Sequence, residues 1–111
     1  MKKLLGIFIL IIALASVSSC KKKVASGDLE LVGTWTDGST TDIQINSNGS
    51  GYSHYDDGGS YKNIDGKVII ENEVITFKAF GVKENYTINK RPYTKNGKTL
   101  MDLNGDVYTK N

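Results

Sequence analysis

Turn signals recur about every eight to twelve residues from residue 31 onward, and they separate short segments rich in β-branched and aromatic residues. The turn segments are SNGSG, DDGG, IDGK, IENEV, KNGK and LNGD, and each places Asn, Asp or Gly where a hairpin requires positive φ. Connections this short join only antiparallel neighbours. The sequence therefore predicts an all-β domain, a small antiparallel up-and-down meander or barrel, since closure into a barrel removes exposed strand edges.

The segments between these turns are predicted strands, and none of them has helical periodicity. They span residues 31–36, 41–46, 51–55, 60–64, 67–71, 74–80, 84–89, 98–103 and 106–110. Apolar residues two positions apart point to the same side of a strand, which predicts the inner face of the sheet. The predicted inward residues are Ile43, Ile45, Ile75, Phe77, Tyr86, Ile88, Met101 and Leu103, joined by Leu31, Trp35, Val68 and Ile70.

The N-terminus has the pattern of an export signal. Lys2 and Lys3 precede an apolar run over residues 4–15, and small residues follow it up to Cys20. That run is shorter than the about 20 apolar residues that a transmembrane helix needs, so we expect a cleaved signal helix over residues 1–19. An ordinary secretory signal that leaves a free thiol is the alternative. Cys20 is the only cysteine in the chain and cannot form an internal disulfide.

The segment Val17, Ser18, Ser19, Cys20 resembles the lipobox of bacterial lipoproteins at every position. The resemblance implies that the Cys20 sulfur carries diacylglycerol and that its freed amino group is often acylated as well, for instance with palmitate. Two or three acyl chains anchor a protein durably to a membrane, whereas one chain binds only reversibly. A lipid anchor at Cys20 would account for both the presence and the solitude of this cysteine.

The chain divides into three segments: the signal peptide 1–19, the lipidated cysteine with a flexible tether 20–28, and one β domain 29–111. From Asp28 onward there are nine basic and twelve acidic side chains without a basic stripe, which argues against a nucleic-acid partner. The tether begins with three lysines, residues 21–23, which either meet anionic headgroups or are simply solvated.

Residues 29–111 resemble the lipocalin-like β domains found in many small bacterial lipoproteins. The matching features are Gly33 and Trp35 in the first strand, a hairpin over residues 48–51 followed by Tyr52, and the final LNGDVYTK segment with Tyr108 and Lys110. The resemblance implies that Gly33 permits close backbone approach and that Trp35 plugs one end of the barrel beneath a basic side chain. Lys110 stands where the family usually has arginine.

Three tyrosines, Tyr52, Tyr55 and Tyr61, are the candidate ligand or partner contacts, because tyrosine is favoured both in strands and at interfaces. Ordinary half-buried sheet tyrosines are the alternative interpretation. His54 lies beside Asp56 and Asp57, but one histidine supplies neither a metal-ligand set nor a catalytic triad. We therefore expect no catalytic residues, no metal and no cofactor.

Two further segments are interpreted as structural. Asp102, Asn104 and Asp106 alternate like calcium ligands, but the glycine and glutamate positions of a calcium loop do not match, so a hairpin turn is expected. The segment NKRPYTKNGK, residues 89–98, contains the only proline and is expected to be a basic loop.

These features predict a lipid-anchored protein of the cell envelope whose non-catalytic barrel binds a small apolar ligand or an envelope partner. The alternative is a purely structural or accessory lipoprotein with a filled core and no ligand. An enzyme is least favoured, because no motif supplies a nucleophile, a base and an electrostatic stabiliser at suitable spacing. The outer membrane, facing the periplasm, is the expected location, with the inner membrane and the cell surface as alternatives.

Overall fold

The computed structural model describes residues 22–111. The expected signal helix and the lipobox residues Val17, Ser18, Ser19 and Cys20 lie outside the described residues. A short 3-10 helix, η1, spans Ser26–Leu31 and precedes eight strands. The strands are β1 Gly33–Thr36, β2 Thr41–Ile45, β3 Ser50–Asp56, β4 Tyr61–Glu71, β5 Val74–Ala79, β6 Val82–Lys95, β7 Lys98–Leu103 and β8 Asp106–Lys110.

The eight strands form one closed antiparallel barrel in chain order. Each strand pairs with its neighbours in sequence, and β8 closes the barrel against β1 with Trp35 opposite Lys110. This confirms the predicted all-β, up-and-down architecture and is consistent with a lipocalin-like barrel. No helix among residues 22–111 has the length and apolarity needed to cross a bilayer.

The barrel interior contains the side chains that the alternation predicted. The buried hydrophobic residues are Leu31, Trp35, Ile43, Ile45, Ile64, Val68, Ile75, Phe77, Tyr86, Ile88, Met101, Leu103 and Tyr108. Ile70, the remaining predicted core residue, is partly buried and packs against this cluster. The interior of this small barrel is thus filled largely by its own side chains.

Two predicted turns or loops are strand in the structure. The segment IDGK does not turn, because Gly66 lies inside β4 and the two strands predicted on either side are one. A Cβ atom at Gly66 would lie 2.5 Å from the carbonyl oxygen of Lys78, so glycine serves close approach of β5 here and not a turn. The predicted basic loop 89–98 is also wrong, since β6 continues to Lys95 and accommodates Pro92 at a register shift between Lys90 and Tyr93.

The helix η1 covers one end of the barrel, and its last residue enters the core. Leu31 is fully buried, and its carbonyl oxygen accepts a hydrogen bond from Trp35 Nε1 at 3.0 Å. Lys110 Nζ lies 5.6 Å from the Trp35 ring centroid, as the lipocalin-like resemblance implied for a basic residue in the last strand. Gly33 has φ of 142°, and a Cβ atom there would lie 2.6 Å from Lys110 Cε.

Arg91 of β6 fastens η1 to the barrel. Its guanidinium donates to Asp28 at 3.0 Å, to Glu30 at 3.0 Å and to Glu73 at 2.8 Å. Glu73 lies in the β4–β5 turn, so one side chain joins the helix to a strand connection. These hydrogen bonds raise the pKa of Arg91 above its usual value, and the bond from Arg91 lowers the pKa of the Glu73 carboxyl.

The two ends of the barrel are distinct. Every second turn of an up-and-down barrel lies at the same end, so η1 and the β2–β3, β4–β5 and β6–β7 turns define the helix end. The β1–β2, β3–β4, β5–β6 and β7–β8 turns define the opposite, distal end. The tether joins the helix end, because the Val24 amide donates to the carbonyl oxygen of Ser47 in the β2–β3 turn at 3.0 Å.

Candidate functional site at the distal end

Four two-residue hairpin loops share one backbone geometry but differ in sequence. In each loop both residues have positive φ, as a type I′ turn requires: Asn72 and Glu73, Phe80 and Gly81, Asn96 and Gly97, Asn104 and Gly105. Asparagine occupies the first position in three of the loops, and phenylalanine occupies it in the β5–β6 loop. Phe80 has φ of 51°, a conformation that is unfavourable for a bulky side chain.

Burial of the Phe80 side chain does not offset this strain. Its relative exposure is 102%, so the ring is fully in water at the tip of the hairpin. Val82 is also exposed, at 48%, on the strand that follows. Strained conformations that the surrounding structure maintains cluster at functional sites, and adjoining exposed apolar side chains mark contact surfaces. Phe80 is therefore the centre of the candidate site.

A groove runs beside this hairpin. Its volume is about 420 Å³, and it separates the first half of β4 from the β5–β6 turn. Ile64, Ala79, Phe80 and Val82 supply the apolar part of its lining, and Lys62 and Asp65 supply charged rims. Lys62 Nζ forms an ion pair with Glu84 Oε2 at 2.8 Å across the mouth of the barrel. The groove is thus apolar in its centre and charged at its edge.

A polar layer lies inside the barrel below the distal end. The hydroxyl groups of Ser53 and Tyr86 are 2.5 Å apart, and the hydroxyl groups of Thr40 and Thr41 are 3.2 Å apart. The Tyr86 ring packs edge-on against Phe77 at 5.6 Å and against Tyr108 at 6.3 Å between centroids. Burial raises the pKa of both tyrosines, so both remain protonated hydrogen-bonding groups at neutral pH. This layer occupies the interior beneath the distal mouth.

The predicted contact tyrosines lie in two places. Tyr61 is 75% exposed beside the β3–β4 turn at the distal end. Tyr55 is on the other side of the same turn, and its hydroxyl donates to Asp57 Oδ2 at 2.9 Å. Tyr52 lies on the outer wall, where its ring stacks on His54 at 4.0 Å. The structure therefore brings Tyr55 and Tyr61 to the distal end and leaves Tyr52 apart from it.

The ionisable residues near the distal end serve identifiable structural tasks. His54 Nε2 lies 2.8 Å from Asp65 Oδ1 on the barrel wall. The Asp57 carboxylate accepts hydrogen bonds from the Ser60 and Gly59 amides and from Tyr55, which lowers its pKa to about 2. Between residues 22 and 111 no three His, Cys, Asp or Glu side chains come together as a metal site. Asp102, Asn104 and Asp106 belong to the β7–β8 hairpin, where the Gly105 amide donates to Asp102 Oδ1.

Phe80 and Val82 are not among the residues that the sequence predicts for a site, and the predicted strand 74–80 includes Phe80. A signal was present in the sequence. Gly81 follows Phe80 as Gly97 and Gly105 follow their asparagines, so the position before the glycine was open to a turn interpretation. The aromatic residue at that position favoured strand in the propensity argument.

Comparison with protein-family models, with curated proteins and with solved structures gives no match for this chain. The fold and the geometry of the distal end are therefore the basis of the function proposed below.

Proposed function

We propose that this protein is a lipid-anchored protein of the cell envelope whose non-catalytic barrel holds a protein partner at its distal end. The observation that supports the partner is Phe80, which has a strained backbone and a fully exposed ring at the tip of a hairpin. The other three two-residue hairpins have asparagine at this position. Large aromatic side chains contribute most where a partner excludes water from them.

The position of the tether supports a partner that approaches from the aqueous compartment. An anchor at Cys20 lies shortly before Val24, which is fixed to the helix end by its bond to Ser47. A protein held at that end presents the hairpin of Phe80 away from the bilayer. The expected setting is the outer membrane, with the barrel facing the periplasm.

A protein partner fits the described structure better than a small apolar ligand. The inward positions are occupied by large side chains, including Trp35, Phe77, Tyr86 and Tyr108. The two most exposed large hydrophobic side chains of the described residues, Phe80 and Tyr61, are instead on the outside at the distal end, with Val82 beside Phe80. The second candidate, a structural lipoprotein without any ligand, is favoured by the filled interior, but it leaves the strain and exposure of Phe80 without a cause.

The experiment that tests this proposal has two parts. In the native host, Cys20→Ser should release the protein from the membrane fraction and abolish acyl labelling. A photo-crosslinking residue at position 80 should give one discrete adduct in intact cells. The same residue at position 96 should give none, because Asn96 has the same turn position at the helix end.

Phe80→Asn provides the functional control, since it places at this hairpin the residue that the other hairpins use. We expect Phe80→Asn to remain folded and to lose the partner. To follow the adduct in that variant, the photo-crosslinking residue is moved to position 82, on the adjoining strand. Membrane association of the Cys20→Ser protein, or equal crosslinking from positions 80 and 96, would refute the proposal.

A further inference from the structure

The first half of β4 has one free edge. Residues 61–66 pair with β3 only, and pairing with β5 begins at Lys67 opposite Lys78. The Asp57 amide donates to the Ser60 carbonyl and the Val68 amide donates to the Gly49 carbonyl. Because backbone direction alternates along a strand, even-numbered residues of β4 bond to β3. The amide and carbonyl groups of Tyr61, Asn63 and Asp65 therefore point away from the sheet.

This free edge faces the groove beside the β5–β6 hairpin. β5 ends at Ala79, which still lies close to Gly66, and β4 extends past that point. The gap of about 420 Å³ opens there, between Ile64 on one side and Ala79 and Val82 on the other. A closed barrel normally leaves no strand edge exposed, and natural sheets cover or charge those that remain. Here the edge stays accessible next to the apolar hairpin.

We propose that the partner contributes an extended segment that adds to β4 as a further strand along residues 61–65. This inference rests on the proposed function and specifies how the distal end would hold its partner. The added strand would pair with the outward groups of Tyr61, Asn63 and Asp65 at the usual interstrand spacing of about 4.8 Å. Alternate apolar side chains of that segment would face Ile64 and the hairpin.

The chemistry of the edge selects a polypeptide as the occupant. Three residues present donors and acceptors in the alternating order of a β ladder, and only another backbone matches that order. A lipid would meet the apolar hairpin but would leave these groups without partners. A second copy of the chain would have to place a whole barrel against the hairpin tip. A single extended segment needs only the width of one strand in the groove beside β4.

The test uses the lipidated full-length protein in detergent micelles and a defined probe. The probe is a fluorescent nonapeptide of alternating valine and threonine with a lysine at each end. We expect saturable binding, measured by anisotropy, together with slower hydrogen exchange at the amides of Tyr61, Asn63 and Asp65. Asn63→Pro removes a donor that β3 does not use and should weaken binding at least about tenfold. Asn63→Ala, the matched control, should bind within about twofold of the natural protein.

A second measurement does not depend on how well Asn63→Pro folds. Two versions of the probe carry N-methyl groups, one on all its valines and the other on all its threonines. Successive residues of a strand direct their amides to opposite edges, so one version should bind and the other should not. The version that binds then shows whether the added strand runs parallel or antiparallel to β4.

Several results would overturn the inference. These are no binding of the probe, equal binding of both methylated versions, equal binding by Asn63→Pro and Asn63→Ala, or a protein that alone sediments as a dimer dissociated by Asn63→Pro. Protection of the three amides by anionic vesicles and not by the probe would also refute it. The proposed function can be judged separately from the strand addition. If the position-80 adduct persists in cells that carry Asn63→Pro, the partner still binds and only the strand addition is refuted.

Discussion

The helix end and the distal end of this barrel differ in the exposure of a large apolar side chain. At the helix end Leu31 and Trp35 are fully buried, and Arg91 joins η1 to the barrel through three carboxylates. At the distal end Phe80 is fully exposed in a strained turn. Burial stabilises a fold and exposure of an aromatic ring does not, so Leu31 and Trp35 contribute stability that Phe80 does not. The distal end remains available for a partner.

The largest effect should come from removing the side chain that closes the helix end. Trp35→Ala deletes a fully buried indole and its hydrogen bond to the Leu31 carbonyl. We expect the free energy of unfolding to fall by about 3 to 5 kcal/mol, the usual cost of a large-to-small core substitution. Urea denaturation followed by circular dichroism measures it. Phe80→Ala is the control, and equal losses from the two variants would contradict the contrast between the ends.

Arg91→Met should have the second largest effect and should act on η1 in particular. The substitution keeps the length of the aliphatic stem and removes all three ion pairs, at sites that are only partly buried. We expect a loss of about 1 to 2 kcal/mol that shrinks with added salt, together with faster hydrogen exchange in η1. Lys62→Met, which breaks the exposed distal pair with Glu84, is the matched control and should change stability little.

Phe80→Asn should raise stability, in the opposite direction from the two substitutions above. Asparagine adopts positive φ at the first position of a type I′ turn more readily than phenylalanine, and the exposed ring contributes no packing. The expected gain is about 0.5 to 1 kcal/mol in the free energy of unfolding. Asn96→Phe at the helix end is the reciprocal control and should lose a similar amount. A destabilised Phe80→Asn protein would mean that the ring supports the fold.

The strands and the core could be predicted because both depend on local patterns. Alternation placed Ile43, Ile75 and Met101 inside, and the hairpin signals gave an antiparallel meander. The Asp-Gly pair at residues 65 and 66 misled this reasoning, because its effect depends on the approach of Lys78 from another strand. A turn and a close strand crossing both select glycine, and local sequence does not distinguish them.

The features that the sequence did not predict depend on contacts between distant residues. Arg91 reaches Asp28 across 63 positions and Glu73 across 18, so its role could not be derived from the basic run around it. The free edge of β4 results from the register of β4 against the shorter β5, and this register depends on pairing between strands that the sequence does not show. Tyr61 was predicted as a contact residue on composition alone, and the structure places it at the distal end without establishing a contact.

The smallest effect concerns the distal β3–β4 turn in acid. Asp57 accepts amide hydrogen bonds from Ser60 at 2.8 Å and Gly59 at 2.9 Å, and its pKa is lowered from 3.8 to about 2. A carboxyl whose folded pKa lies below its unfolded value stabilises the fold above pH 3.8, and this contribution disappears as pH falls through about 2. The turn should therefore open only in strong acid, with little change in overall stability at higher pH.

The amide chemical shifts of Gly59 and Ser60 measure this transition, and both should titrate with a midpoint near pH 2. Asp57→Ala should remove the titration and give both amides the shifts of an open turn at neutral pH. A midpoint near 4 would show that the carboxylate does not organise the turn. In that case the hydrogen bond that the Tyr55 hydroxyl donates to the same carboxylate would not restrain Tyr55 either. The distal end would then lack an ordered β3–β4 turn beside Tyr61.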